Sequence, residues 1–349
     1  MSSAYPEPVT GVATTLSKGD QAMATGLAMS SNDELVIVGR AETIAGPVSW
    51  GWTARISADG ALLWDRDWMA LGKGSALFGC VPSANGSVVA VGEVGPLAGD
   101  EGIHPVGLLM KVDSRGSLEW RRRLDLGPFT QITAIAGDGH GGAVLGSGVK
   151  SQTTTATFLT TATAAGEIQD STEIDPDGDL VLHIRRVAED GYLIVGSELV
   201  RVDREGRRLW RQPGLYRDAV VLDDGSVIAI AMPRGQPREV VRFDPRGERS
   251  WARPIKDGTV CEAPVGIWAM GRDSILVLSH FCPYSDMVLL TFYSGAGGAR
   301  GERRVRIGEG VQVLAGYLDA AGRLAMAGLE NWKKAWVFRA RVSVEPPVR

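Results

Sequence analysis

Two short stretches of this chain put reactive side chains where their neighbours in sequence are apolar. The first holds His183, Arg185 and Arg186, and the second holds Tyr216, Arg217 and Asp218. An arginine presents a planar fork of donors that matches a carboxylate or a phosphate. Charged groups in an apolar setting cost on the order of several kcal/mol unless they are paired, hydrated or used. Two readings follow: a site for an anionic partner, or an internal Arg–Asp network in a water-filled channel. A third stretch is His280-Phe281-Cys282-Pro283-Tyr284-Ser285-Asp286, with Cys261 and Glu262 expected nearby. His, Tyr and carboxylates can support general acid–base chemistry. Cys282 and His280 are two residues apart, so on an extended chain they share a side without having to touch. A packed loop is the competing reading. Trp50-Gly51-Trp52 and Glu330-Asn331-Trp332-Lys333-Lys334, with Trp336 beyond, offer aromatic surface for a ligand or peptide, against burial of the indoles between structural units.

Other chemistries lack their residues. His104, His140, His183 and His280 form no pair at metal-ligand spacing. Asp175, Asp177 and Asp179 alternate like calcium ligands, but Leu180 stands where the loop needs glycine and Arg186 where it needs an acid. No Gly-x-Ser-x-Gly elbow is present. Gly137-Asp138-Gly139-His140-Gly141-Gly142 reads as a hairpin turn, because no helix follows it. No metal and no cofactor is therefore expected. With 37 basic and 41 acidic residues the net charge is −4, which gives no electrostatic case for nucleic acid or an anionic membrane. No apolar run is long enough to span a bilayer. The three cysteines form no Cys-x-x-Cys pair and suit a reducing compartment. The first residues lack a basic start and an apolar core, so the expected location is the cytoplasm and the expected state a monomer.

The elements that position these residues are set by a repeat. The phrase Asp-x-x-Gly-x-x-x-Trp occurs at Asp113, Gly116, Trp120, at Asp203, Gly206, Trp210 and at Asp244, Gly247, Trp251, with a near copy at Ser57, Gly60, Trp64. Seven apolar strands end in small residues: Gly39, Gly92, Gly146, Gly196, Ala231, Ser279 and Gly328. A period of roughly fifty residues marks a repeat architecture. Each small-residue strand follows a polar turn such as Ala84-Asn85-Gly86 or Asp223-Asp224-Gly225, and each turn follows another apolar strand. Four antiparallel strands per repeat, seven times over, predict an all-β fold: a single seven-bladed β-propeller. The blades fall near 21–70, 75–127, 129–175, 181–213, 215–256, 262–308 and 311–342 of one domain spanning 1–349. The last repeat runs out after its third strand, so residues 9–16 are expected to supply its fourth and close the ring.

The strand Leu109-Met110-Lys111-Val112-Asp113 leading to Gly116 and Trp120 resembles the repeats of the bacterial quinoprotein-like β-propeller superfamily. That resemblance implies that each Trp lies across the interface to the next blade and locks blades together without touching ligand. Repeats three, six and seven depart from it: Asp170 and Gly301 stand where Trp is expected, and repeat seven lacks the turn. Quinone-binding members of the superfamily have eight blades, are exported and bind calcium, so their cofactor is not carried over. Against this regular background, blades four to six are irregular. The leading expectation is a soluble binding module for a small anionic molecule or a peptide at the mouth of the axial channel, through Arg185, Arg217, Asp218, Tyr284, Trp50 and Trp332. The alternative is a metal-independent lyase, cyclase or hydrolase using His183, Tyr216, Glu262 and His280 at the same mouth. A protein-interaction scaffold is the third reading.

Overall fold

The computed structural model describes residues 9, 11–30, 32–44, 48–71, 74–95, 104–150, 155–175, 181–187, 191–255, 262–270, 273–281, 286–319 and 321–343. Its strands form seven four-stranded antiparallel sheets, which are the blades of the propeller. The innermost strands are Gln21–Met29, Ala76–Pro82, Thr130–Gly137, Val181–Arg186, Tyr216–Val221, Glu262–Ala269 and Val311–Leu318. In blades one to six the remaining strands follow outward in chain order. Blade seven takes its outer strand from the other end of the chain: Val12–Leu16 pairs with Lys334–Arg341. This is the expected closing strand. Its segment does more than close one sheet. Val9 bridges to Val305 in the outer strand of blade six, and Lys18 sits buried between Asp67 (2.8 Å) and Asp65 (2.9 Å) of blade one. One stretch of chain thus ties blades six, seven and one.

Blades bury their faces against each other. Leu35–Thr43 and Val48–Ile56 are almost continuously buried, as strands covered on both sides should be. One core cluster joins Leu35, Ile37, Trp50, Trp52 and Ile56 of blade one to Ala325, Ala327, Ala335 and Val337 of blade seven. Fully covering one large side chain in such a cluster contributes about 2–3 kcal/mol.

The tryptophan of the repeated phrase works between blades. Trp64 donates to the Ser114 carbonyl at 2.9 Å, Trp210 to Pro245 at 3.1 Å and Trp251 to Gly295 at 3.2 Å. Each acceptor lies in the turn of the following blade, two residues before a glycine with positive φ: Gly116, Gly247 and Gly297. A Cβ at any of these would stand within 3 Å of the indole. Trp120 lies on Gly166 of blade three in the same way. Four of the seven interfaces carry such an indole, and the segment 9–18 spans two of the others. Among the described residues, the interface between blades three and four has neither device. There Thr172 faces Gly206 at 3.5 Å.

Every innermost strand is also interrupted by a β-bulge at an equivalent place. The register with the second strand skips one residue in each blade: Thr25, Phe78, Thr133, Leu182, Arg217, Val265 and Leu314. A bulge leaves one residue unpaired and bends its strand. The small residues of the repeat are its counterpart. Gly39, Gly92, Gly196, Ala231, Ser279 and Gly328 each sit opposite the residue just before a bulge. A Cβ at Gly39, Gly92 or Gly328 would collide with a carbonyl oxygen of the bulging strand. In blade three that place is taken by Ser147, opposite Ile132.

Candidate functional site in the axial channel

The seven bulges meet around the propeller axis and line a cavity of about 620 Å³. That volume is in the range of small-molecule sites. Six of the bulge residues are apolar or threonine: Thr25, Phe78, Thr133, Leu182, Val265 and Leu314. The seventh is Arg217. The residues that follow the bulges are Gly26, Gly79, Ala134, Gly266 and Ala315 in five blades, but His183 and Asp218 in blades four and five. Arg40, Glu93 and Gln131 add to the wall. Arg40 pairs with Met23 and Glu93 with Ala76, so both sit at the end of the channel where the inner strands begin.

Asp218 organises this cluster. It is 1% exposed and accepts hydrogen bonds from Arg185 (2.7 Å), its neighbour's Ala219 N–H (2.8 Å) and Ile267 N–H of blade six (3.1 Å). Burial pushes its carboxyl up, but Arg185, His183 and the Ile267 N–H together outweigh burial and hold it below the usual carboxylate range. The aspartate is therefore a fixed anion joining blades four, five and six. Burial, reinforced by the Arg185 and Arg217 guanidiniums, lowers His183 to about 4 against the pull of Asp218, so the imidazole is neutral at neutral pH. Arg217 reaches past blade six and donates to the Leu314 carbonyl of blade seven at 3.1 Å. Burial lowers its affinity for the proton, but a guanidinium stays charged at neutral pH. Among the described residues no carboxylate lies within 4 Å of it, whereas Arg185 is committed to Asp218.

The residues named from sequence do not all converge here. His183, Arg185, Arg217 and Asp218 line the cavity. Tyr216 does not: it packs edge-on against Phe243 in the core between blades four and five. Adjacent strand residues face opposite ways, and the bulge at Arg217 lets Arg217 and Asp218 both line the channel while Tyr216 stays in the core. His280 is buried within the second strand of blade six, which runs through Phe281, opposite Ala263 and Val288. Trp50, Trp52 and Trp336 are buried in the cores between blades, while Trp332 is 53% exposed in the last hairpin. Glu262 begins the inner strand of blade six, with its side chain outside the described residues, as are Cys261, Cys282 and Tyr284. Sequence reasoning missed the wall formed by Arg40, Glu93 and Gln131 and the threonine contacts between bulges, Thr25 to the Leu77 carbonyl and Thr133 to the Val181 carbonyl. Cys80 also lines the cavity, and burial pushes its thiol up to about 12, so it is no nucleophile there.

A larger groove of about 960 Å³ lies at the opposite, hairpin end of blades four and five. Within it Arg207 pairs with Asp203 and Glu205, and Asp224 pairs with Arg242 beside it. Among the described residues no group of His, Cys, Asp and Glu could hold a metal ion, and no helix is long and apolar enough to cross a membrane.

No known family profile and no curated protein matches the chain. Solved structures match it in fold. The WD40 domain of Toxoplasma gondii coronin is similar over 99% of this chain and 90% of its own, with 12% identity and a TM-score of 0.58. The WD40 domain of Neurospora crassa Pan2 is similar over 96% and 91%, with 9% identity and a TM-score of 0.56. Sqt1 from Chaetomium thermophilum covers 95% and 100%, with 13% identity and a TM-score of 0.52. The class these define is the seven-bladed β-propeller, and at such identities the likeness speaks for the fold alone.

Proposed function

We propose that this propeller is a binding module that holds a small anionic ligand, or the acidic end of a peptide, at the mouth of its axial channel, with Arg217 as the principal contact. The observation that carries this is the bulge ring: its single charged side chain lines the cavity, and among the described residues it hydrogen-bonds the neutral Leu314 carbonyl and has no carboxylate within 4 Å, Asp218 acting on it only through space. A ligand carboxylate or phosphate makes a stronger, charge-assisted pair with the same guanidinium. Asp218, held by Arg185, keeps blades four to six in place around it. The enzyme reading has less support. A histidine near 4 is a weak base at neutral pH, and Tyr216 faces the core between blades. A WD40-like fold also supports a scaffold, which would use the rim where Trp332 is exposed. The indole-on-glycine contacts support kinship with quinoprotein-like repeats. The buried free thiol of Cys80 agrees with a cytoplasmic protein, and we read the ring 1–349 as one monomeric unit.

Thermal shift and titration calorimetry with inorganic phosphate, citrate and glutarate test this reading. The wild type should be stabilised by at least one of these anions. Arg217→Ala should lose that effect while melting within a few degrees of wild type. Equal stabilisation of both proteins, a variant that only melts lower, or a wild type indifferent to every anion would contradict it.

A further inference from the structure

Among the described residues a second charge on the axial wall has no ion pair within 4 Å, and its sign is opposite. Glu93 lines the cavity from blade two and Arg217 from blade five. Their strands stand three steps apart in the ring of seven, and the Arg217 guanidinium itself ends at the Leu314 carbonyl of blade seven, two steps from blade two. Among the described residues no cation lies within 4 Å of Glu93; its carboxylate accepts a bond from the Gln131 amide. Arg40 is the nearest competitor, and it is committed to Glu42 at 2.8 Å. Burial pushes the Glu93 carboxyl up, which shows that Gln131 and Arg40 do not fully compensate its desolvation. The remaining charges of the wall are settled, since Arg185 and Asp218 neutralise each other and His183 is uncharged.

A ligand carrying only negative charge satisfies Arg217 and leaves Glu93 facing it. A ligand with a cationic amine at its other end satisfies both walls. From this placement we propose that the axial ligand is zwitterionic: an amino acid, an ω-amino acid or a whole short peptide, with its carboxylate at Arg217 and its ammonium group at Glu93. This rests on the reading of the cavity as an anion site and adds the cationic end. The separation of the two walls makes chain length a selectivity determinant, because only a ligand of matching span engages both charges at once.

Matched pairs of probes test it by calorimetry: 4-aminobutyrate against succinate, 5-aminopentanoate against glutarate, and 6-aminohexanoate against adipate. In the wild type at least one amino acid should bind about tenfold more tightly than its diacid, the size expected of a partly buried charge pair. Glu93→Gln should invert that order, because it removes the amine's partner and the diacid's repulsion together. Arg217→Ala should weaken both members of the pair. Diacids that bind as well as amino acids, or an order unchanged in Glu93→Gln, would overturn the zwitterion and leave the anion site standing. If no probe binds, both fail.

Discussion

Replacing Gly247 by alanine should cost far more than replacing Gly225, although both glycines hold positive φ in blade five, at 87° and 79°. Either substitution places a side chain in the left-handed region, at about 1–2 kcal/mol. The two sites differ in what the new Cβ meets. At position 225 the nearest atoms are Pro245 carbons at 3.7 Å, an ordinary contact, whereas at 247 the Trp210 indole is 2.8 Å away. The indole must move, which breaks its 3.1 Å bond to the Pro245 carbonyl. That bond contributes about 1 kcal/mol, and the displaced ring surface about as much again. We expect Gly247→Ala to destabilise by about 3–4 kcal/mol and Gly225→Ala by about 1–2 kcal/mol. Urea unfolding of both variants, alone and combined with Trp210→Ala, measures this. In the Trp210→Ala background the penalty at 247 should fall to that at 225, a coupling of about 2 kcal/mol. Equal penalties, or strict additivity with Trp210→Ala, would refute the idea that indoles lock neighbouring blades.

Four further outcomes follow from the charged groups and the closing segment. Asp218→Ala leaves Arg185 without its partner in a buried setting and should destabilise by about 3–5 kcal/mol, read by chemical unfolding. Because the folded carboxyl of Asp218 lies below its ordinary range, its contribution is present above that range and is lost as pH falls through the folded value. His183 also titrates low when folded, at about 4. The unfolded chain therefore binds its proton first, and stability should fall as pH drops from about 6.5 to about 4. Melting curves of His183→Gln should lack that part of the slope. Lys18→Met removes the cation between Asp65 and Asp67 and should cost about 1–3 kcal/mol, while deletion of residues 1–17 should lower the melting temperature further, since it also strips the outer strand of blade seven.

Much of the ring can be read from the chain because its signals are local. Turn residues, apolar strands and the small residue in each second strand repeat in sequence as they do in space. The closing role of 9–16 follows from counting strands. What the small residues signify is less visible. Gly39 and Gly92 look like strand ends, but they mark where the neighbouring strand bulges toward them. Periodicity alone cannot show a bulge, since one extra residue shifts the alternation by one. That shift puts both Arg217 and Asp218 on the channel, while Tyr216, one residue earlier, faces the core. The phrase Asp-x-x-Gly-x-x-x-Trp reads as one local unit, yet its glycine and its tryptophan serve two different interfaces. Arg40 and Glu93 were missed because they sit on second strands, one residue past the small residue, where nothing in the pattern points inward.

Among the described residues, Arg217 is the arginine of the axial cavity that has no carboxylate within 4 Å, whereas Arg40 and Arg185 each have one. Anomalous diffraction from crystals soaked in sodium iodide tests directly whether it takes an anion. A strong iodide peak is expected in the axial cavity against the Arg217 guanidinium, and none in Arg217→Ala crystals. Iodide found only in the hairpin groove near Arg204 and Arg207, with an empty axial cavity, would contradict it.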